Sequence, residues 1–290
     1  MTFQVIAILA PVFLIVLVGY LYARFDQPDM QVINRIIMQL LVPALILSVM
    51  SSKDFEILRY SRLSLSAVGV ILTSGLAAFF VAQVLGYRWR TIVPPMMFGN
   101  WGNLGLPLIV LAFGDASLNA AVILFITGNI MHFTVGTAIL SGRFSLMVFF
   151  KTPVILAVML GLLINVSNLV IADFLLKPLD MLGQVAIPLM LLSLGVRLNH
   201  VHWNDLSISL IIAVLCPTVG LLAAYGFGSL LQLESMQLKQ LLIFGALPPA
   251  VMNFMFAEQY KLEPEKVASI VMVSNLFAIG TYFVLLYLII

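Results

Sequence analysis

The stretch Gln39-Leu-Leu-Val-Pro43-Ala-Leu-Ile-Leu47-Ser48 has a second copy later in the chain, Gln184-Val-Ala-Ile-Pro188-Leu-Met-Leu-Leu192-Ser193. The two copies start 145 positions apart (184 minus 39), which is half of the 290 residues. Both are apolar, and each carries a Gln one turn before a Pro, a residue that removes a helical hydrogen bond. Inside a membrane, polar groups freed in this way need partners within the protein. The duplication therefore predicts two related halves, residues 1–145 and 146–290, in one membrane domain.

The composition predicts an integral membrane protein. Hydrophobic residues make up 62% of the chain and charged residues 9%, whereas about a quarter of the residues in a soluble domain are charged. The charged residues leave ten long runs without Asp, Glu, Lys or Arg: 1–23, 36–52, 63–87, 91–114, 116–142, 152–172, 181–196, 206–233, 240–257 and 267–290. Because roughly 20 apolar residues span a bilayer as a helix, we expect an all-α membrane fold with ten transmembrane helices.

Several function classes are disfavoured by what the sequence contains. No Gly-rich loop ending in Gly-Lys-Ser/Thr is present, so the chain carries no P-loop for ATP. The single Cys216 excludes a disulfide or a Cys-based metal site within one chain. A formal charge of +2 spread over loops gives no basic patch for nucleic acid. We therefore expect no catalytic residue, no metal, no cofactor and no nucleic-acid partner.

The distribution of Lys and Arg predicts the orientation in the membrane. Nine of these residues follow the odd-numbered predicted helices: Arg24, Arg35, Arg88, Arg90, Arg143, Lys151, Arg197, Lys261 and Lys266. Five follow the even-numbered helices: Lys53, Arg59, Arg62, Lys177 and Lys239. Because positive residues concentrate in cytoplasmic loops, we expect both termini on the outer side of the plasma membrane, the inner membrane in a bacterium.

The number of helices in each half predicts an inverted repeat. A unit of five helices crosses the membrane an odd number of times, so the second unit enters from the opposite side. The fifth helices agree with this register, since residues 121–127 match residues 268–274 at an offset of 147 (268 minus 121). Inverted repeats are the architecture of alternating access, which opens one site to either side in turn. We expect a transporter; the alternative is a duplication retained for folding alone.

Two of the predicted helices contain breaks. Helix 4 carries Gly99-Asn100-Trp101-Gly102-Asn103-Leu104-Gly105-Leu106-Pro107, and helix 9 carries Gly245-Ala-Leu-Pro248-Pro249-Ala-Val-Met-Asn253. Half-helices that meet near the midplane present partly positive N-terminal ends, which can hold an anion without Lys or Arg, and side-chain amides can orient it. The candidate substrate-binding residues are Asn100, Gly102, Asn103, Gly105, Pro107, Pro248, Pro249 and Asn253. The alternative is that Pro and Gly only kink these helices.

Seven further residues are secondary candidates: Gln39, Pro43, Gln184, Pro188, Asn129, His132 and Asn275. Each Gln lies at the carbonyl that the following Pro cannot bond, and its amide either caps the kink or faces the substrate. His132 is the only imidazole in a charge-free run, and is either a proton relay or a neutral His bonded to a neighbouring helix. Because the ten runs contain no Asp or Glu, coupling to a proton or a sodium ion stays open.

The two Pro motifs together resemble those of the auxin efflux carrier family, which includes bacterial permeases and plant PIN-type auxin exporters. The resemblance rests on the run from Gly99 to Pro107, on Pro248-Pro249-Ala-Val-Met-Asn-Phe-Met-Phe-Ala257-Glu-Gln-Tyr260 and on the ten-helix length, and it covers essentially the whole chain. It implies that helices 4 and 9 are broken and cross, at residues 103–107 and at Pro248 and Pro249. The substrate site would lie beside this crossing, between a scaffold domain and a transport domain.

The family resemblance also implies the substrate class. Family members move organic anions such as auxin, malate or malonate, and a homodimer is implied by the resemblance alone. The short connection 141–151 departs from the plant exporters, which have a long cytoplasmic loop there, so regulation through that loop does not carry over.

The sequence therefore predicts a secondary transporter of a small organic anion that works by alternating access. A channel of the same architecture is the nearest alternative and would show flux without saturation or counterflow. An intramembrane enzyme is more distant, because the sequence has no His-Glu-x-x-His motif and no carboxylate in the charge-free runs. The residues themselves fix neither the substrate, the direction of transport, the coupling ion nor the oligomeric state.

Overall fold

The computed structural model describes residues 2–26, 28–52, 55–143, 152–167, 169, 171–199 and 205–290. In this part of the chain the regular structure is helical. The α-helices in chain order are α1 (Thr2–Asp26), α2 (Met30–Ile36), α3 (Val42–Met50), α4 (Ser61–Leu85), α5 (Trp89–Met97), α6 (Leu106–Phe113), α7 (Leu118–Met131), α8 (Thr137–Ser141), α9 (Pro153–Val166), α10 (Asp173–Arg197), α11 (Leu206–Leu230), α12 (Ser235–Gly245), α13 (Met252–Gln259) and α14 (Pro264–Ile289). Three π-helical turns (Ile37–Leu41, Trp101–Gly105, His132–Gly136) and two 3₁₀ turns (Ile57–Tyr60, Asp115–Ser117) join some of them.

Among the described residues, seven helical stretches are long and apolar enough to cross a membrane. They are Thr2–Asp26, Val32–Met50, Ile57–Leu85, Asp115–Ser141, Asp173–Arg197, Leu206–Leu230 and Pro264–Ile289. The other three charge-free runs hold shorter helices: α5 and α6 in run 91–114, α9 in run 152–172, and α12 and α13 in run 240–257. The all-helical membrane class is confirmed.

The duplicated prolines have different local structures. Pro43 lies in the first turn of α3, directly after the π turn Ile37–Leu41 that contains Gln39. A π turn changes the hydrogen-bond register and so accommodates the carbonyl that a Pro leaves unbonded. Pro188 lies inside α10, which continues through it to Arg197. The two copies of the motif therefore share a sequence but not a backbone conformation.

Most helix contacts fall within two groups. The first group contains α1, α2, α3, α9 and α10, in which α1 packs on α10, and α3 packs on both α9 and α10. The second contains α4 to α8 and α11 to α14, in which α11 packs on α4, α12 and α14, and α4 packs on α5 and α7. Fewer contacts join the groups, mainly those of α1 and α10 with the segment 101–113.

Glycine allows close approach within each group. A Cβ on Gly195 of α10 would overlap the backbone carbonyl of Val16 in α1, and a Cβ on Gly220 of α11 would overlap the carbonyl of Gly245 in α12. In membranes, where burial of apolar surface does not drive association, such small residues let helices pack by direct backbone contact. These contacts hold each group together as a unit.

We expect Gly195→Ala to destabilise the protein, because the added methyl must push α1 away from α10. Overpacking of this kind costs about 1–3 kcal/mol, so the thermal midpoint of the purified protein in detergent should fall by several degrees. Gly280→Ala in α14 is the matched control, since a Cβ there meets nothing within 4 Å. An unchanged midpoint for Gly195→Ala would contradict this description of the α1–α10 contact.

Candidate functional site

The two interrupted segments meet through their backbones. Helix α5 ends at Met97 and α12 ends at Gly245, and the residues that follow pair as a short antiparallel bridge between Gly99 and Pro249. The Asn100 N–H donates to the Pro248 carbonyl at 2.8 Å, and the Ala250 N–H donates to the Phe98 carbonyl at 3.0 Å. The backbone groups released by one break are therefore satisfied by the other.

Three buried asparagines form a hydrogen-bond network around this bridge. The Asn253 amide donates to the Phe98 carbonyl at 2.9 Å, and the Asn275 amide donates to the Pro249 carbonyl at 3.0 Å. The Asn100 amide donates to Asn275 Oδ1 at 3.3 Å. Because these side chains come from both breaks and from α14, the network fixes the position of the bridge relative to the adjacent helix.

A cavity of about 540 Å³ adjoins the bridge. One wall belongs to the first helix group, with lining residues in α2, in the π turn 37–41 and in α10; the other belongs to the second group, with lining residues at 99–103, in α7 and at 250–255. The lining residues are Asn34, Arg35, Ile37, Met38, Gln39, Gly99, Asn100, Trp101, Gly102, Asn103, Phe125, Asn129, His132, Met190, Arg197, Ala250, Val251, Met252 and Met255. The cavity thus lies between the two groups of helices.

The cavity brings together part of the predicted site. Asn100, Gly102 and Asn103 line it, as do the secondary candidates Gln39, Asn129 and His132. Asn253, Pro248, Pro249 and Asn275 lie behind it as parts of the bridge and its asparagine network. Gly105, Pro107, Pro43, Gln184 and Pro188 are outside its lining.

The residues outside the lining have other local roles. Gly105 leaves room for Leu247, whose Cδ1 would lie 2.7 Å from an added Cβ. Pro107 lies just after the π turn Trp101–Gly105 in the helical segment Trp101–Phe113, and the changed hydrogen-bond register of a π turn accommodates a residue without an N–H. The Gln184 amide donates to Asp180 Oδ2 at 2.9 Å on an exposed face of α10.

Two arginines of the cavity were not among the residues predicted from the sequence. In the sequence, Arg35 and Arg197 served only to predict the orientation in the membrane, but both line the cavity. Neither has an ion pair among the described residues. The Arg197 guanidinium lies 3.8 Å from Met255 Sδ, and its buried Nε has no hydrogen-bond partner. The lining therefore contains two cations and no carboxylate.

A sequence signal for both arginines exists in the duplicated stretch. Arg35 precedes Gln39 by four residues, and Arg197 follows Ser193 by four residues. Residues four apart lie on the same face of a helix, so Arg35 shares a face with Gln39 and Arg197 shares a face with Ser193. One copy places its arginine before the Pro and the other after it, which obscures the relation in a simple alignment of the two stretches.

The cavity also faces the N-terminal ends of two helical segments. Trp101, Gly102 and Asn103 begin the helical segment Trp101–Phe113, and Val251 and Met252 lie at the start of α13. First-turn N–H groups have no acceptor within their own helix and carry the positive end of the helix dipole. Both helix N-termini therefore add positive potential to the cavity wall of the second helix group, opposite the wall that carries Arg35 and Arg197.

His132 forms the aromatic end of the cavity. Its ring stacks on Phe98 with centroids 4.3 Å apart, and it meets Trp101 and Phe256 edge to face at 6.3 and 5.2 Å. Its Nε2 atom and the nearby Oδ1 atom of Asn253 are both buried, and neither has a hydrogen-bond partner by geometry. The stacked rings position the imidazole beside Asn253 of α13. Unpartnered buried polar atoms beside a cavity are unusual and suit a bound polar ligand or water.

The described residues contain no group of three or more His, Cys, Asp or Glu that could hold a metal ion. The chemistry of the cavity is therefore that of amides, one imidazole, two guanidinium groups and backbone N–H groups. Such a set binds anionic and polar molecules, and it provides no nucleophile paired with a base.

Comparison with known proteins identifies the family. The family model described as "Membrane transport protein" matches the chain twice, over residues 4–148 and 140–286. A Rhizobium meliloti protein named "Putative malonate transporter" is 25% identical over 99% of this chain and 96% of its own length. Uncharacterized transporters of Methanocaldococcus jannaschii and Methanothermobacter thermautotrophicus are 22% and 26% identical, each over 92% of this chain and 93% of the relative.

The family match and the apolar helices agree with each other. Seven stretches able to span a bilayer make this an integral membrane protein, and the matches indicate a transporter rather than an enzyme. The chain belongs to the membrane transport protein family, which confirms the resemblance to the auxin efflux carriers.

Proposed function

We propose that this transporter carries a small organic anion, and that the anion binds in the cavity beside the Gly99–Pro249 bridge. The observation that supports this most is the charge of the cavity. Its described lining holds Arg35 and Arg197 without a carboxylate to neutralise them. The Arg197 side chain is partly buried and its Nε has no partner. An unpaired cation withdrawn from water is costly, and a carboxylate ligand would supply the missing partner through charge-assisted hydrogen bonds.

The neutral groups of the cavity suit the same class of ligand. The amides of Asn100, Asn103 and Asn129 can donate to carboxylate oxygens and orient the molecule. The two helix N-termini at Gly102 and Met252 favour negative charge as well. A malonate transporter is named among the relatives, and small carboxylates such as malonate, malate or an auxin-like acid are the substrates that we propose here.

The proposal includes ten membrane segments in a 5+5 inverted repeat, with units 1–145 and 146–290. In this scheme α1 corresponds to α9, the pair α2 and α3 corresponds to α10, and α4 corresponds to α11. The pair α5 and α6 corresponds to the pair α12 and α13, and the pair α7 and α8 corresponds to α14. Helix contacts support this scheme because they come in corresponding pairs. The contact of α1 with α10 corresponds to that of α9 with α3, and the contact of α4 with α5 corresponds to that of α11 with α12. The contact of α4 with α7 corresponds to that of α11 with α14. The two successive family matches also support it.

The position of the cavity supports alternating access. The substrate would lie between two helix groups that have few mutual contacts, so movement of one group past the other could expose the cavity to either side. Arg35 and Arg197 lie near the helix ends that the Lys and Arg distribution assigns to the cytoplasm, so this conformation would be open inward. A homodimer belongs to the proposal through the family resemblance alone. A coupled proton or sodium ion stays an open part of the proposal, because the charge-free runs contain no Asp or Glu.

Replacing either cavity arginine should impair anion transport. In proteoliposomes we expect Arg35→Gln and Arg197→Gln each to raise the KM for malonate or malate about 10–100-fold, since hydrogen bonds to charged groups contribute about 1.5–3 kcal/mol. Arg24→Gln is the matched control: Arg24 lies at the end of α1, is bonded to the Tyr20 hydroxyl and is outside the cavity. Wild-type KM values for both cavity variants, with every carboxylate tested, would exclude this binding site.

The amide of Asn103 should matter in the same assay. Asn103→Leu keeps the branched shape of the side chain and removes its polar atoms, so we expect carboxylate uptake to fall by about 10-fold or more through loss of a ligand hydrogen bond. Gln83→Leu removes an amide from an exposed position on α4, away from the cavity, and should leave uptake unchanged. Equal uptake by both variants would count against Asn103 as a binding residue.

Transport kinetics distinguish a carrier from a channel. A carrier that alternates between two openings should show saturable uptake, and labelled anion outside should exchange against unlabelled anion trapped inside. Flux that rises linearly with concentration and shows no counterflow would replace the carrier by a channel while leaving the anion site in place.

A further inference from the structure

A second cavity, here called the lateral crevice, lies away from the anion cavity. It has a volume of about 600 Å³, and its lining contains no residue of the anion cavity. Its walls come from the 3₁₀ turn Ile57–Tyr60 and the first two turns of α4, from α7, and from the pair α3 and α9. It therefore also lies between the two helix groups, at the end of the bundle where α4 begins.

The lateral crevice opens toward the lipid-facing surface. Leu58 and Leu65, which line it, are 83% and 58% exposed. Leu160 and Leu163 of α9, next to its lining residue Leu162, are also exposed. Because Ile57–Leu85 and α9 are apolar helical segments, this side of the molecule faces the bilayer. The mouth is thus a gap between α4 and α9 at hydrocarbon depth.

The lateral crevice is lined mainly by apolar side chains. Its side walls include Val68, Ile126 and Leu162, and the hydroxyl groups of Ser61, Ser64 and Thr127 are bonded within the protein. Ser64 and Thr127 bond to each other at 2.8 Å, and Ser61 donates to the Leu58 carbonyl at 2.8 Å. Apolar cavities of about 150 Å³ already stay dry and take up apolar molecules. A space four times larger that is open to lipid will fill with hydrocarbon.

The entrance carries an available positive charge. Arg62 lies in the first turn of α4, one turn before Leu65, so both are on the same side of the helix. Arg62 is exposed and has no ion pair within the described chain, whereas Arg59 is paired with Glu234 at 3.6 Å. From Ser61 to Val68 the crevice follows α4 for about 10 Å at 1.5 Å per residue. Arg62 thus lies at the edge of the crevice near the start of α4, one turn from the lining residue Leu65.

We propose that the lateral crevice is a binding site for an anionic phospholipid, with one acyl chain between α4, α7 and α9 and the phosphate on Arg62. The acyl chain would contact both helix groups at once, since α9 belongs to the first group and α4 and α7 belong to the second. A bound lipid therefore fills a gap at the boundary along which the groups would move. The binding itself does not depend on the proposed anion transport.

Native mass spectrometry of the full-length protein in detergent tests this site. We expect phosphatidylglycerol to bind with at least 10-fold higher affinity than phosphatidylcholine of the same chains. Val68→Trp, which fills the crevice, should reduce phosphatidylglycerol binding at least 10-fold. Arg62→Gln should abolish the preference for phosphatidylglycerol while chain-dependent binding persists. Glycerol phosphate, which lacks acyl chains, should not bind.

Leu76→Trp is the matched control, because Leu76 is exposed on α4 outside the crevice; it should bind lipid as the wild type does. If Val68→Trp does not fold, Leu162→Phe fills the crevice from the opposite wall. Equal phosphatidylglycerol binding by the wild type and by a folded crevice-filling variant would overturn the site. Equal affinity of the wild type for both lipids would overturn the role of Arg62.

Discussion

The backbone hydrogen bonds between residues 98–100 and 248–250 satisfy a constraint that the bilayer imposes on any interrupted helix. Hydrocarbon offers no partner to a free N–H or C=O, so non-helical backbone persists at membrane depth only where protein surrounds it. Here one break supplies the partners of the other, and Asn253 and Asn275 bond to two of the carbonyls at the crossing. A polar region is thereby maintained inside an otherwise apolar molecule, and the cavity beside it depends on this region.

The same pairing determines the electrostatics of the cavity. Since both breaks are followed by new helical segments, two helix N-termini point toward one space, and Arg35 and Arg197 come to the same space from the other helix group. These positive contributions come from four separate parts of the chain, and no described lining carboxylate opposes them. The division of the cavity between the two groups also links binding to the contact surface along which they could move. The lateral crevice lies on that same boundary, on the side that faces lipid.

The sequence predicted the features that depend on residues close together in the chain. Charge-free runs predicted the long helices because length and apolarity are sufficient for a span, and the Pro and Gly motifs predicted interruptions in runs 91–114 and 240–257. The position of the first break, at 98–100 and not next to Pro107, depends on which residues can reach Pro248 and Ala250, and that is a long-range contact. Equally, Pro43 and Pro188 share a motif but only Pro43 follows a π turn. The arginines were missed because their role depends on how α2 and α10 approach the breaks, which no single helix encodes.

Protection of a cysteine in the cavity from chemical labelling is the decisive measurement of anion binding there. Ala250→Cys in a Cys216→Ser background places a single thiol in the wall of the cavity, at a lining residue with no assigned bond to the ligand. We expect malonate or another small carboxylate to slow the labelling of this thiol by a membrane-impermeant maleimide, with saturation. Neutral or cationic molecules of the same size should have no effect. Labelling that no organic anion slows, at any concentration and from either side of the membrane, would contradict the assignment of this cavity as the binding site.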